Sequence, residues 1–119
     1  MIGNILRRFL RSGRIAEPSG RIAEATVGGQ VIARSSRYRK LEGNVYFPPD
    51  AVARAFIEDS THTTVCWWKG VALYYTVRAG DEELPNAAWY YPDPSPAAEG
   101  IRDHVASGWR VRVSETRAD

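Results

Sequence analysis

The fold is decided by the stretch TTVCWWKGVALYY at residues 63–75, together with AWYYPDP at residues 88–94. Both stretches are dominated by aromatic and β-branched residues, which favour strands. We predict a buried strand from Gly70 to Val77 and an antiparallel partner from Ala87 to Tyr91, joined by a turn at Gly80-Asp81. Prolines follow Tyr91 closely and end this strand, because proline cannot donate a hydrogen bond to a sheet.

Much of the remaining chain shows the two-residue alternation that is typical of strands. It predicts a hairpin over residues 21–33 turning at Gly28-Gly29, a hairpin over Tyr38–Phe47 turning at Gly43-Asn44, and a closing strand or hairpin over 105–113. Short helical segments are predicted after Pro48-Pro49-Asp50, with residues 52–57 forming its apolar face, and over 97–101. Residues 58–62 are polar, and we predict a loop there.

The N-terminal residues follow a different pattern from the rest of the chain. Their apolar residues recur at helical spacing between arginines, which predicts a short basic amphipathic helix. We therefore expect three parts: helix and linker over residues 1–20, a single β-rich domain over 21–113, and a polar tail over 114–119. Such a helix can contact an anionic membrane, but we favour packing on its own domain or on a sister subunit.

Composition and charge limit the function classes. With one cysteine, the chain cannot form an intrachain disulfide or a paired-cysteine zinc site, and a reducing cytoplasm fits best. The two histidines and the cysteine lack the spacing of a metal site, so we expect no metal and no cofactor. The formal net charge of +2 is weak and comes from the N-terminal arginines, so we expect no binding to nucleic acid.

Cys66 and Lys69 are the first candidate site residues. A neighbouring cation, Lys69 or His62, would favour the reactive thiolate form of Cys66 and make it a nucleophile. Residues three apart on a strand point to opposite faces, so Cys66 and Lys69 meet only if Trp67-Trp68 forms a turn or bulge. The alternative is that Cys66 is a small buried apolar residue, which is the common role of a free cysteine.

Lys69 lies among aromatic residues, so its ammonium must reach water, lie over a ring or bind an anionic ligand. We predict a ligand-binding cleft in which Tyr46, Trp89 and Tyr91 join Lys69, with His62 as a general base or proton shuttle beside Cys66. The alternative is that these aromatic residues fill a core and pair across strands.

Three blocks of this sequence resemble a family of small proteins known as domain of unknown function 427. That family shows Thr-x-Cys-Pro-aromatic-Lys-Gly-x-Ala-x-Tyr, which residues 64–74 match with Trp67 in place of the proline. Residues 46–52 are similar to its Tyr-Phe-Pro-x-Asp-x-Val element, and residues 88–94 to its Ala-Trp-x-Tyr-Pro-x-Pro element. Residues 103–107 read DHVAS where the family tends to show Gly-Tyr-Val-Ala-Phe, so any pocket shaped by them is altered here.

The resemblance implies a fold similar to the β-tent, in which antiparallel sheets fold over one another. It adds no activity. The family is sometimes labelled a nucleotidyltransferase, but this chain has no Gly-Ser pair followed by Asp-x-Asp and no Gly-rich loop opening a helix, so we do not adopt that label.

These observations predict a mainly β protein with a site for a small anionic or planar ligand around Cys66 and Lys69. Whether the site is catalytic stays open. The alternative is a non-catalytic interaction module, or a homodimer, that uses the aromatic face and the N-terminal helix.

Overall fold

A computed structural model describes residues 14–119, so the predicted N-terminal helix lies outside the described residues. The described chain is mainly β, as predicted. Its strands are Arg21–Val27 (β1), Gln30–Ser35 (β2), Arg39–Leu41 (β3), Asn44–Tyr46 (β4), Ile57–Cys66 (β5), Gly70–Ala79 (β6), Glu82–Tyr90 (β7), Ala106–Ser107 (β8) and Arg112–Arg117 (β9). Short 3₁₀ helices cover Pro49–Ala51, Arg54–Phe56 and Pro96–Ile101. Within residues 14–119 no helix is long and apolar enough to cross a membrane.

The strands form antiparallel sheets. One sheet has the order β2-β1-β9, a second has the order β5-β6-β7-β8, and β3 pairs with β4. A bridge between Phe47 and Val105 joins the end of β4 to the start of β8, and Ala16 pairs with Lys40 of β3. The short β3-β4 hairpin therefore extends the four-stranded sheet.

Alternation along the strands gives the four-stranded sheet two buried faces. Tyr75 and Val77 of β6 pack with Ala88 in a main core shared with β1 and β2. Ala72 of β6 lies on the opposite face, in a second cluster with Tyr46 and other residues. The other buried members of that cluster are Leu41, Tyr91, Ala98, Ile101 and Ala106. The candidate site residues belong mainly to this second face.

Most predicted hairpins are confirmed, with one shift in a turn. The β1-β2 turn lies at Gly28-Gly29 and the β6-β7 turn at Gly80-Asp81, as expected. The β3-β4 turn lies at Glu42-Gly43, one residue before the predicted position. Both turn residues have positive φ, 53° at Glu42 and 80° at Gly43, and such a turn matches the twist of the flanking strands.

The predicted loop at residues 58–62 is wrong, because these residues belong to β5. β5 is an edge strand whose register with β6 is interrupted between Asp59 and Thr63. Most of its residues are exposed on both faces, so it needs no alternating apolar residues to be a strand. A polar sequence here therefore indicates an edge and not a loop.

The helix predicted after Pro48-Pro49-Asp50 is reduced to two 3₁₀ segments. Val52 lies between them and bridges Ala33 of β2, and Ala53 donates its backbone N–H to Ile32 at 2.8 Å. These sheet-like bonds occupy the backbone groups that a continuous helix would need.

The polar tail predicted for residues 114–119 is also wrong over most of its length. β9 runs to Arg117 and pairs with β1 from Arg21 to Thr26. Glu115 of β9 accepts hydrogen bonds from Tyr38 at 2.7 Å and from Lys40 at 2.8 Å. The polar residues of this segment are strand residues held by partners that are distant in the sequence.

Candidate functional site

The candidate site forms where the ends of two hairpins meet. Lys69 lies in the turn of residues 67–69 between β5 and β6, and Glu42 lies in the turn between β3 and β4. The Lys69 ammonium donates a hydrogen bond to Glu42 Oε1, which forms an ion pair between the turns. We call Lys69, Glu42 and the aromatic residues around them the lysine cluster; its aromatic members are Tyr46, Trp68, Trp89 and Tyr91.

The Lys69 ammonium is almost fully buried among aromatic rings. The residue is 8% exposed, and its Nζ lies 5.2 Å from the centroid of the Trp68 ring and 5.6 Å from that of Tyr91. A cation at these distances is attracted by the ring faces. Of the alternatives predicted for Lys69, the structure shows contact with rings, and Glu42 of the same chain supplies its counter-ion.

The pKa of Lys69 is raised despite the burial. Burial alone lowers the pKa of an ammonium, but the hydrogen bond that Lys69 donates to Glu42, together with the nearby Tyr46 and Cys66, outweighs it. Lys69 is therefore a fixed positive charge at neutral pH and not a general base.

The two tyrosines of the lysine cluster keep their hydroxyl protons and can act as hydrogen-bond donors. Tyr46 is 1% exposed, and its hydroxyl accepts a hydrogen bond from Trp89 Nε1 at 3.3 Å. Burial is the largest cause that raises the pKa of both Tyr46 and Tyr91. Both phenols stay protonated at neutral pH, so each can donate a hydrogen bond to a bound molecule.

Cys66 is partly buried and packs against the same cluster. It ends β5 opposite Gly70 at the start of β6, and residues 67–69 form the turn that the sequence reasoning required for Cys66 and Lys69 to meet. A thiolate at Cys66 would raise the pKa of Lys69, Tyr46 and Tyr91, because a negative charge favours their protonated forms.

His62 lies outside the centre of the cluster. It is exposed on β5, and its ring contacts the edge of Tyr74 with 4.6 Å between centroids. Tyr74 in turn lies 6.3 Å from Trp89, so aromatic rings connect His62 to the cluster. The structure brings together all the predicted site residues except His62, which it places at the margin.

The segment after β7 fixes the shape of the lysine-bearing turn. Ser95 donates its backbone N–H to the Lys69 carbonyl at 3.0 Å and its hydroxyl to the Trp68 carbonyl. Gly70 has a φ of 117°, and a Cβ at this position would lie 3.2 Å from the Asp93 carbonyl oxygen. Only glycine fits this close approach without displacing the backbone. Residues 93–95 therefore fix this turn against the start of β6.

The cluster offers charge, hydrogen-bond donors and flat apolar walls. Over residues 14–119 no group of three or more His, Cys, Asp or Glu residues is placed to hold a metal ion. Two surface cavities of about 400 and 380 Å³ lie elsewhere, one beside β8 and β9 and one beside the Gly28-Gly29 turn. Chemically, the cluster presents one ammonium, two phenol hydroxyl groups and the faces of aromatic rings, with the Cys66 thiol packed against them.

Two members of the cluster were not predicted as site residues. Trp68 lies in the aromatic stretch of residues 63–75, and nothing in that pattern distinguishes it as a site residue. Glu42 is 27 residues before Lys69 and belongs to another hairpin, so no local pattern connects them. The available signal was that a lysine among aromatic residues requires a counter-ion, and that Glu42 opens the turn of a neighbouring hairpin.

Together, the fold and the site define a small antiparallel β protein with a buried lysine in an aromatic cluster. Residues 15–118 match the model of a family described as a domain of unknown function (DUF427), so the chain belongs to that family. The resemblance inferred from the three sequence blocks is therefore confirmed. No curated protein matches the chain.

Proposed function

We propose that the lysine cluster binds a small molecule that carries a carboxylate or similar anion on a planar apolar body. The observation that carries this proposal is the Lys69 ammonium, 8% exposed and flanked by the Trp68 and Tyr91 rings. A buried ion pair adds little or nothing to stability compared with apolar residues of similar size. Retaining a charge here is better explained by binding than by folding.

Glu42 occupies the position that the ligand anion takes. Its side chain is 36% exposed and reaches Lys69 from the other hairpin, so it can leave for water while Lys69 stays fixed. The incoming anion replaces the Glu42 carboxylate, the rings of Trp68 and Tyr91 face the planar body, and Tyr46 donates its hydroxyl proton. Glu42 thus keeps the lysine neutralised in the absence of ligand.

The experiment compares benzoate with benzamide, two planar molecules of nearly the same size that differ in charge. We expect benzoate to shift the NMR signals of the Trp68 and Trp89 indoles with a Kd of about 1 mM or weaker, and benzamide to bind this cluster less well. Lys69→Met should weaken benzoate binding about tenfold, because a charge-assisted hydrogen bond is lost. Glu42→Gln should strengthen it, because the competing carboxylate is gone.

Lys40→Met is the matched control. Lys40 also pairs with a glutamate, at 2.8 Å from Glu115, and neither residue belongs to the lysine cluster. Benzoate binding should be unchanged in this variant. Equal loss in both lysine variants, or an unchanged affinity in Lys69→Met, would count against the proposal.

If the ligand is a substrate, Cys66 is the nucleophile and His62 the proton carrier. Iodoacetamide tests the thiol directly, because the chain has one cysteine and alkylation forms one S–C bond with loss of iodide. We expect Cys66 in the folded protein to react faster than glutathione at neutral pH. Protection until the protein unfolds would remove Cys66 from the proposal and leave a binding site.

A second candidate function is an interaction surface that pairs two copies of the chain. Val65 lies directly opposite Val71 at the end of the β5-β6 hairpin, and the two are 78% and 48% exposed. Trp67 in the adjoining turn is 78% exposed. Exposed apolar residues that lie together are typical of interfaces.

Sedimentation equilibrium tests this second candidate. The unmodified chain should show a concentration-dependent dimer, and Val65→Ser/Val71→Ser should be monomeric. Val31→Ser, at another exposed valine on β2, is the control and should leave the dimer intact. A monomer at all concentrations for the unmodified chain rejects the dimer.

We also propose that the fold is a β-tent and that the protein is located in the cytoplasm. The two sheets folded over a main core, with a second cluster on the outer face, support a β-tent arrangement. A single unpaired cysteine supports a reducing cytoplasm. Superposition on solved β-tent proteins and fractionation of expressing cells test the two statements.

A further inference from the structure

A separate cleft opens between β4, β8 and β9, on the side of the molecule that carries the Phe47–Val105 bridge. Its volume is about 400 Å³, and the residues used below are Asn44, Val45, Ser107, Trp109, Val113 and Glu115. A cleft of this size is in the range of small-molecule sites. None of the residues of the lysine cluster lines it.

Ser107 gives the cleft an unused hydrogen-bonding group. Its hydroxyl oxygen is buried and has no hydrogen-bond partner among the described residues. Leaving a buried hydroxyl unpaired costs about 1–3 kcal/mol, so such groups normally have a partner. The described residues therefore leave the bonding capacity of this hydroxyl unused.

Ser107 borders both the cleft and a smaller void. The void measures about 20 Å³, and its other walls are alanine, valine, isoleucine and phenylalanine side chains. A water molecule there would meet Ser107 and few other polar groups, whereas a buried water usually makes about three hydrogen bonds. Because Ser107 also lines the cleft, rotation about its χ1 can turn the hydroxyl toward the cleft, where a ligand can accept a hydrogen bond from it.

Trp109 provides an aromatic surface at the rim of the same cleft. The residue is 92% exposed, more than any other large apolar residue of the described chain. An indole in this position offers a flat face and an N–H donor to a planar molecule. Val45 and Val113 add apolar walls.

The charges around the cleft select against ions. Glu115 is the charged residue that lines it among residues 14–119, and its carboxylate is already bonded to Tyr38 and Lys40. An anion would be repelled by this carboxylate and would find no cation in the lining. A cation would have to compete with Lys40.

We infer that this cleft is a second binding site, for a small uncharged planar molecule that stacks on Trp109 and accepts a hydrogen bond from Ser107. The inference does not depend on the lysine cluster, because the two sites share no residue. Their ligand preferences are opposite, since one selects an anion and the other a neutral molecule.

Benzamide is the probe, because it is planar and uncharged and has a carbonyl oxygen for the Ser107 hydroxyl. We expect it to shift the Trp109 indole signal and the amide signals of residues 107–113 in a saturable manner, with a Kd of about 1 mM or weaker. Benzoate, tested at the same concentrations, should not shift them.

Variants assign the contacts. Trp109→Ala should weaken benzamide binding about fivefold to tenfold through the lost stacking, and Ser107→Ala about threefold or more. Ser107→Phe should abolish it by filling the cleft. Trp67→Ala, at another exposed tryptophan outside the cleft, is the matched control and should leave the affinity unchanged.

Three results would overturn the inference. They are no shift of residues 107–113 at about 10 mM benzamide, equal binding of benzoate at these residues, or full affinity in a folded Ser107→Phe variant. Because the readout is local, failure here leaves the benzoate test of the lysine cluster unaffected.

Discussion

The two faces of the four-stranded sheet are buried in different ways. On the face toward β1 and β2, the buried residues are mostly alanine and valine, with Val77 and Ala23 at 0% exposure. On the other face, the buried groups include the phenols of Tyr46 and Tyr91 and the ammonium of Lys69. One sheet thus separates an apolar core from a polar and aromatic cluster.

This difference separates residues that stabilise the fold from residues that are available for binding. Burial of apolar surface contributes about 25 cal/mol per Å² and needs no partner. A buried ion pair must offset the loss of hydration of both charges, and often only balances it. We therefore expect substitutions on the first face to act mainly on stability, and substitutions on the second face to act mainly on binding.

The largest effect should follow from loss of an aromatic residue in the apolar core. Phe47 is 3% exposed, so Phe47→Ala should lower the free energy of unfolding by about 3–5 kcal/mol through lost burial and a new cavity. Urea denaturation measures this change. Val31→Ala, at a residue 42% exposed, is the control and should change it by about 0.5 kcal/mol or less.

Breaking the ion pair should have the next largest effect. Glu42→Gln leaves the Lys69 ammonium buried without its counter-ion and should cost about 2 kcal/mol, less than for a fully buried pair because Glu42 is partly exposed. The double variant Lys69→Met/Glu42→Gln removes both charges, and its free energy of unfolding should lie within about 1 kcal/mol of that of the unmodified chain. If the double variant is no more stable than Glu42→Gln, the fold itself requires the ion pair, and the distinction between a stabilising face and a binding face of the sheet does not hold.

A smaller effect is expected for a single hydrogen bond within the cluster. Tyr46→Phe removes the acceptor of the Trp89 indole N–H and should cost about 1 kcal/mol. Tyr74→Phe is the matched control, because the Tyr74 hydroxyl bonds Thr64 at an exposed position and water can replace that partner. Urea denaturation of the two variants gives the difference, and equal costs would show that burial of Tyr46 is not decisive.

The smallest effect should appear as a pH dependence of stability that comes from Glu115, a residue outside the lysine cluster. The hydrogen bond from Lys40, with a further one from Tyr38, lowers the pKa of Glu115. A lowered folded-state pKa stabilises the protein above the unfolded-state value and is lost as pH falls through the folded-state value. The unmodified chain should therefore lose more stability than Glu115→Gln between about pH 5 and pH 3, measured by thermal unfolding.

Much of the fold could be predicted because its hairpins carry local signals. Gly28-Gly29 and Gly80-Asp81 mark turns between alternating segments, and prolines mark the end of β7. β5 and β9 could not be recognised in full, because alternation reveals a strand only when one of its faces is buried. Glu58 and Ser114 lie on exposed parts of edge strands, so their polarity resembled that of a loop or a tail.

The candidate site was predictable to the extent that its residues lie in one stretch of sequence. The aromatic surroundings of Lys69 followed from residues 67–75, and the turn that brings Cys66 to it was stated as a condition. Glu42 could not be found, because its contact with Lys69 depends on how two hairpins are placed in space. His62 was expected in a loop beside Cys66, whereas on a strand it turns its ring to Tyr74.

The polar sequence of β5 also affects how the protein behaves at high concentration. An open strand edge can pair with the edge of another molecule and begin an aggregate. Glu58, Asp59 and the interrupted register that follows them make this edge charged and irregular, so a second strand cannot align along it. The protection ends near the exposed Val65, so we expect any association of two molecules along this edge to begin at the end of the β5-β6 hairpin and not along the charged part of the strand.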